Sequence, residues 1–274
     1  MKQEFERLYI AGTDAGSALN RLVEIIKILR VECPWDRVQT HETLTTCMLE
    51  EAYEAVDAIL EKDTVNLREE LGDVLLQVVF HSDLSQEEGD FSLTDVINEE
   101  CEKMLRRHPH IFSEEKVKSV DKALEKWENI KSKEHDEQRY SDRLRRVPKA
   151  LPALIRSAKV QSKASKVGFD WDDVADAFAK IDEELHELRQ AFAQGAESEM
   201  FEELGDLLFS VVNVSRFLHF DAEASLNNTT AKFIDRFTTM ENIAIERNLD
   251  FERMRLEEMD KLWIEAKKKE KFNA

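Results

Sequence analysis

The 274-residue sequence contains few of the residues that interrupt or cross-link a chain. Its 7 Gly and 4 Pro are too few for the frequent turns of a β-sandwich or barrel, so long helices are favoured. The three cysteines, Cys33, Cys47 and Cys101, are odd in number and form no CxxC pair, which argues against a disulfide framework and a zinc knuckle. Composition therefore predicts an all-α protein in a reducing compartment.

The sequence also lacks an excess of basic residues and any apolar run of about 20 residues. A formal net charge of −19 disfavours binding to nucleic acid, because that affinity rests on Lys and Arg neutralising phosphates. The segment "MKQEFERLYIAG" has no apolar core of a signal peptide, so we expect a cytoplasmic protein that does not enter a membrane. An acidic chain can still bind a small phosphorylated molecule through bridging divalent cations.

A pattern of acidic residues, ExxE followed by ExxD, occurs twice in the chain with 15 residues between the pairs each time. Displacing the sequence by 133 residues lays one set, Glu51, Glu54, Glu70 and Asp73, onto the other, Glu184, Glu187, Glu203 and Asp206. Other short motifs recur in the same order, such as "CPWD" with "GFDWD" and "KMLRRH" with "KFIDRF". We therefore predict two copies of one domain, at 1–134 and 148–274, joined by a charged linker at 135–147.

The apolar residues around the acids have helical spacing. Phe178, Ile181, Leu185 and Leu188 recur at steps of three and four, and "LGDLLFSVVNVSRFL" is apolar around much of a helix. Each unit then adds a helix with Lys-x-x-x-Arg and a last helix with a tryptophan. The predicted fold is a tandem repeat of two all-α helical bundles.

Acids three residues apart on a helix are neighbours, so each pair repels itself. Four carboxylates at the edge of a buried face would be strongly destabilising without a cation among them. A single ExxE is most often a solvated helix face, but the double pair recurs at identical spacing in both copies. Oxygen ligands suit Mg²⁺, with Mn²⁺ as a substitute, and we predict such a site in each unit.

These motifs together resemble a known family. "LEEAYE", "ELGDVLLQVVFH", "CPWD" and "RRHPHIF" in the first half, then "GFDW", "ELGDLLFSVVNVSR" and "KFIDRF", are similar to the two-domain MazG nucleoside triphosphate pyrophosphohydrolases. The resemblance spans nearly the whole chain. The acid pattern alone would also admit other all-α pyrophosphohydrolases, including dimeric dUTPases and phosphoribosyl-ATP enzymes.

The resemblance implies a helical homodimer that uses Mg²⁺ to hydrolyse a nucleoside triphosphate to the monophosphate and pyrophosphate. It implies that the metal ligands of the second unit are Glu184, Glu187, Glu203 and Asp206. It also implies that the segments 180–184, 199–202 and 232–236 contribute to the nucleotide pocket, with Lys180, Glu202, Lys232, Arg236 and Trp263 as candidate contacts. Lys and Arg one turn apart can both face phosphate oxygens, and an indole can stack on a base. Glu183, beside a ligand, is the candidate for orienting the attacking water.

We expect the second unit to be the main catalytic centre, because it has more cations near its acids. The candidate nucleotide-binding residues near the acids of the second unit are four cations and one amide: Lys159, Lys163, Lys166, Arg216 and Asn213. The first unit has Val23, Lys27, Arg30, Phe80 and Asp83 at the aligned positions, and an Asp in place of an Arg repels phosphate. Two alternatives stay open: an enzyme restricted to one pyrimidine deoxynucleotide, and a non-enzymatic acidic interaction module.

Overall fold

The computed structural model describes residues 3–113, 119–134 and 139–273. The chain divides into two compact units, Met1–Glu134 and His135–Ala274. The described residues form helices and no strand, so the all-α prediction is confirmed. None of the described helices combines the length and the apolar character needed to cross a membrane.

The first unit is built on a long helical hairpin. Its α-helices are α1 (Ala15–Glu32), α2 (Thr45–Glu61), α3 (Thr64–Glu88), α4 (Leu93–Arg107), α5 (Pro109–Phe112) and α6 (Val120–Glu134). Helices α2 and α3 pack along each other, and α1 packs on α3. The core between these helices consists of residues that are at most 5% exposed: Ile26, Leu44, Val79, Phe80 and Leu84. Burying such side chains stabilises each unit through the hydrophobic effect.

The second unit repeats the hairpin. Its helices are α7 (Tyr140–Arg145), α8 (Ala153–Ser165), α9 (Val174–Gln194), α10 (Glu197–Phe217), α11 (Ala222–Glu246) and α12 (Leu256–Asn273). Helices α9 and α10 pack closely, α8 packs on α10 and α11, and α12 on α11. The stretch predicted as a linker, 135–147, contains α7, which packs on α8; 135–138 lies outside the described residues. The limits of the functional domains stay a prediction.

Two-residue turns reverse the chain between the paired helices. Gly195 ends α9 with φ 69°, a left-handed conformation that glycine adopts without a steric penalty. At the same point of the first unit, Lys62 ends α2 with φ 59°. Asp63 then caps α3 by accepting hydrogen bonds from the backbone of Val65 and Asn66, both 3.0 Å long. So short a connection makes each helix pair antiparallel and brings its ExxE motif alongside its ExxD motif.

The apolar surface of α10 is not fully covered within its unit. Phe201, Leu204, Leu208 and Val211 are 83%, 48%, 50% and 46% exposed, at steps of three and four residues. This helix packs on α8, α9 and α11, and its Val212 and Val214 are buried. The stripe is left uncovered. Contiguous exposed apolar residues of this kind are typical of an interaction surface.

Candidate active site

Three carboxylates of the second unit converge between α9 and α10. One carboxylate oxygen from each of Glu184, Glu187 and Glu203 lies within 4.8 Å of the other two. Glu184 is buried at 5% exposure, while Glu187 and Glu203 are half-buried. We name Glu184, Glu187 and Glu203 the second acidic cluster. Asp206, the fourth predicted ligand, is exposed and lies outside this grouping.

The negative charges of this cluster act on one another. Burial raises the pKa of Glu203, and the neighbouring Glu187, Glu184 and Asp206 raise it further. Asp206 is therefore near enough to repel Glu203 electrostatically. A divalent cation among these oxygens would relieve the repulsion, and hard carboxylate oxygens are the ligands that Mg²⁺ and Mn²⁺ accept. The residues present thus fit a divalent metal ion.

Lys180 is the cation nearest to this cluster in the ion pairs of the described residues. Its Nζ lies 2.7 Å from Oε1 of Glu184 and 2.8 Å from Oε1 of Glu183. Hydrogen bonds to Glu183 and Glu184 raise the pKa of Lys180, which keeps it charged. Glu183 itself is exposed, next to a buried ligand candidate. One ammonium therefore joins the candidate water-orienting residue to the candidate metal ligand.

The other predicted nucleotide-binding residues lie on several helices of the second unit. Lys159 and Lys163 are on α8, with Lys166 at its C-terminal cap, and Glu202 is an exposed residue of α10. On α11, Lys232 is exposed and Arg236 half-buried. The guanidinium carbon of Arg236 lies 6.0 Å from the ring centroid of Trp263. Trp263 also packs on Phe233, with 5.1 Å between ring centroids, so its ring is held by an aromatic neighbour.

Arg216 has protein partners that the sequence did not reveal. It donates from Nη1 to Oδ2 of Asp170 at 2.9 Å and from Nη2 to Oδ1 of the same carboxylate. It also donates to Oδ1 of Asn213, 3.1 Å from Nε and 2.9 Å from Nη2. Asp170 belongs to the "GFDW" loop before α9, 46 residues away. Arg216 and Asn213 thus fasten that loop to α10, and a role in nucleotide binding stays a prediction.

The first unit has an acidic cluster at the corresponding place. Carboxylate oxygens of Glu51, Glu70 and Asp73 lie within 4.8 Å of one another, and we name these residues the first acidic cluster. Burial raises the pKa of both Glu51 and Glu70, and repulsion from neighbouring acids raises each further. Glu54 is exposed and outside the grouping, but its interaction with Glu70 is among the causes that raise the pKa of Glu70.

Elsewhere in the first unit, Arg30 and Arg107 are bonded to protein groups. Arg30 donates to the carboxylate of Glu87, 2.7 Å from Nη2, and to the backbone oxygen of Gln39 at 3.1 Å. Arg107, 8% exposed, donates to Glu134 at 3.0 and 2.6 Å. Its guanidinium carbon lies 5.4 Å from the ring centroid of Trp127. Arg30 therefore holds the loop after α1 against α3, as Arg216 holds its own loop against α10.

A histidine pair also lies in the first unit, and sequence reasoning missed it. Nδ1 of His41 is 2.7 Å from Nδ1 of His81, and Nε2 of His41 is 3.2 Å from Oγ of Ser85. The ring centroids are 5.0 Å apart and the planes differ by 10°. These values describe nearly coplanar rings sharing one N–H···N hydrogen bond. No local pattern could have revealed a contact between residues 40 positions apart.

Two helical hairpins, each with carboxylates able to hold a metal ion, define an all-α protein with a repeated acidic site. The MazG nucleotide pyrophosphohydrolase domain family matches the chain twice, at residues 39–112 and 173–240. The chain is 43% identical to "Nucleoside triphosphate pyrophosphohydrolase/pyrophosphatase MazG" of Thermotoga maritima, over 93% of this chain and 97% of that protein. It is 40% identical to "Nucleoside triphosphate pyrophosphohydrolase" of Escherichia coli K12, over 92% of this chain and 98% of that protein.

The chain therefore belongs to the MazG nucleotide pyrophosphohydrolase family. The resemblance seen in the sequence is confirmed. A crystal structure of a mazG-related protein from Thermotoga maritima is 33% identical, with a TM-score of 0.37. That similarity covers 41% of this chain and 98% of the other.

Proposed function

We propose that this enzyme hydrolyses nucleoside triphosphates to nucleoside monophosphate and pyrophosphate, with Mg²⁺ held by the acidic clusters and Mn²⁺ as a substitute. The nucleoside triphosphate pyrophosphohydrolase activity follows from family membership and from full-length relatives of that name. The observation that carries the metal site is the convergence of three carboxylate oxygens within 4.8 Å in each unit. The carboxylates of such a cluster repel one another, and a divalent cation among them relieves that repulsion.

The second acidic cluster is proposed as the main catalytic centre. A bound Mg²⁺ would neutralise the triphosphate and favour departure of pyrophosphate. Glu184, Glu187 and Glu203 would hold the ion, with Asp206 completing the set. Glu183 is exposed beside Glu184, where its carboxylate can accept a hydrogen bond from a water and orient it. Lys180, one turn before Glu184, is within reach of phosphate oxygens at the same place.

The nucleoside end of the substrate is proposed to contact α11 and α12. Trp263 offers an aromatic face for the base, and Arg236 lies beside its ring. Lys232 is one turn before Arg236 and exposed, so both cations can approach a triphosphate. Lys159 and Lys163 of α8 and Lys166 at its C-terminal cap add positive charge that a small polyanion can use. The formal net charge of −19 still disfavours nucleic acid as the partner.

A homodimer is proposed, with the exposed stripe of α10 as its interface. Phe201, Leu204, Leu208 and Val211 would be covered by a second copy of the chain, as the family resemblance implies. The free thiols Cys33, Cys47 and Cys101 suit the reducing cytoplasm, where we expect the enzyme to act on surplus or non-standard nucleotides.

The decisive experiment is incubation of the purified protein with a panel of ribo- and deoxyribonucleoside triphosphates and MgCl₂. Separate assays for pyrophosphate and orthophosphate identify the bond that is cleaved. We expect pyrophosphate with several substrates, and a marked loss of its release when EDTA is added or Glu184 is replaced by Gln. Turnover of one pyrimidine deoxynucleotide alone would narrow the substrate class. Unchanged turnover by Glu184→Gln would contradict the second unit as the catalytic centre.

A further inference from the structure

The two acidic clusters differ in one cation. In the second, the ammonium of Lys180 lies 2.7 Å from a carboxylate oxygen of Glu184. The side chain of Glu184 is 6% exposed and that of Lys180 is 33% exposed, so this ion pair is partly shielded from water. The 133-residue displacement that aligns the acids places Cys47 at the position of Lys180. Glu51, the counterpart of Glu184, therefore has no lysine one turn before it.

Cys47 supplies no charge at the position that Lys180 occupies in the second unit. Its half-buried side chain packs against the apolar core that contains Ile26, Leu44 and Val79. The charges that shift the pKa of Glu51 all belong to acids, namely Asp73, Glu54 and Glu50. Among the described residues, the charges that act on Glu51 and Glu70 in the first acidic cluster are all negative, whereas Glu184 of the second cluster is paired with Lys180.

The presence of Lys180 at only one of the two clusters should change how each cluster binds a divalent ion. An ion bound to the carboxylate of Glu184 would lie within a few Å of the Lys180 ammonium, and two cations at that separation repel strongly. The four-carbon stem of a lysine allows its ammonium to move. A triphosphate offers that ammonium new phosphate oxygens, and a charge-assisted hydrogen bond there replaces the one to Glu184.

We infer that Lys180 makes divalent-ion binding at the second acidic cluster depend on nucleotide, whereas the first acidic cluster binds an ion alone. This inference rests on the proposed function, since it concerns the same metal sites. It gives Lys180 a second role beside phosphate contact: it competes with the ion until the substrate arrives. The second unit then takes up metal and triphosphate together, and the first unit does not require this coupling.

Mn²⁺ binding to the full-length protein tests the inference without an activity assay. Isothermal titration with MnCl₂ is done with and without a non-hydrolysable α,β-imido nucleoside triphosphate. Glu51→Gln weakens the first site and so reports the second, and Glu184→Gln does the reverse. Without nucleotide, we expect Mn²⁺ to bind at least about tenfold more weakly in Glu51→Gln than in Glu184→Gln. Nucleotide should remove most of this difference.

Substitutions at the lysine position give the sharper comparison. In the Glu51→Gln background, Lys180→Gln should tighten Mn²⁺ binding without nucleotide by about tenfold. Cys47→Lys in the Glu184→Gln background should weaken Mn²⁺ binding by a similar factor. Because Cys47 touches the core, its variant is first checked by thermal unfolding, and the Lys180→Gln result decides the matter by itself. Unchanged Mn²⁺ affinity on replacing Lys180 would overturn the inference.

The same titrations separate this inference from the proposed function. If the second cluster binds Mn²⁺ equally well with and without nucleotide, the role of Lys180 is rejected while the metal site stands. If neither cluster binds Mn²⁺ in any condition, both proposals fail.

Discussion

The guanidinium of Arg216 and the carboxylate of Asp170 form a two-pronged ion pair that fastens the "GFDW" loop to α10. The two side chains are 20% and 26% exposed, so solvent screens the pair only in part. The first unit joins its own loop to α3 through Arg30 and Glu87, but there the arginine is on the preceding helix. Each unit thus fixes its loop with an arginine, which binds a loop carboxylate in the second unit and a loop backbone oxygen in the first.

Breaking this pair should lower stability before it affects chemistry. Asp170→Asn is expected to reduce the free energy of unfolding by about 1 kcal/mol, because a partly shielded two-pronged pair is lost. Urea titration measures this change. If Arg216 also contacts nucleotide, Arg216→Lys will raise KM beyond the effect of Asp170→Asn. Equal kinetic effects of the two variants would leave Arg216 a purely structural role.

The two units should respond unequally to loss of a carboxylate. Glu203→Gln is expected to reduce pyrophosphate release by about 100-fold or more, because it removes a candidate ligand from the main site. Glu70→Gln, the matched change in the first unit, should leave most of the activity. Both variants should stay folded, since each removes a repelled acid. Circular dichroism checks that both variants are folded. A larger loss of pyrophosphate release from Glu70→Gln than from Glu203→Gln would make the first unit the main catalytic centre.

His81 should make the first unit less stable in mild acid. Burial lowers its pKa below the ordinary value of 6.5, and the nearby His41 lowers it further. As pH falls below about 6.5, the unfolded chain takes up a proton that the folded chain resists, so stability falls toward the lowered pKa. His81→Leu should therefore show a smaller stability difference between about pH 8 and pH 5.5. If denaturant titrations give His81→Leu the same loss of stability in acid as the unmodified protein, His81 is not the source of that loss.

The turn residues Lys62 and Gly195 provide a matched test of backbone strain. Lys62 holds a left-handed φ of 59°, which costs free energy for any residue with a Cβ. Lys62→Gly should therefore raise the free energy of unfolding by about 0.5–1 kcal/mol. Gly195→Ala, with φ 69° and open space around the added Cβ, should lower it by about 1 kcal/mol. Thermal and urea unfolding test both, and a stabilising Gly195→Ala would refute the argument.

A charge on the exposed stripe of α10 should dissociate the proposed dimer. Leu204→Glu places a carboxylate in a face that a second copy would bury, and desolvating that charge is unfavourable. Light scattering during size-exclusion chromatography should show a lower mass than for the unmodified protein. Leu256→Glu, at a position 74% exposed at the start of α12, is the control and should leave the mass unchanged. A dimeric Leu204→Glu variant would require another interface.

Much of the fold was predictable because it depends on local and repeated patterns. Apolar steps of three and four predicted the helix that the structure places at Val174–Gln194, and the repeated acid spacing predicted two copies of one helical unit. The predicted linker shows the limit of this reasoning. Its charged composition gave no helical period, yet Tyr140–Arg145 is helical where it packs on α8.

The sequence alone determined the helical class, the duplication, the acid pairs and the family, because each follows from residue spacing within one element or between repeats. Only the tertiary structure decided which groups meet across elements. It brought Asp170 to Arg216 and His41 to His81, separated by 46 and 40 residues. It also left Asp206 at the margin of its cluster. Helical periodicity fixes the face on which a side chain lies, but packing of the helices fixes its partners.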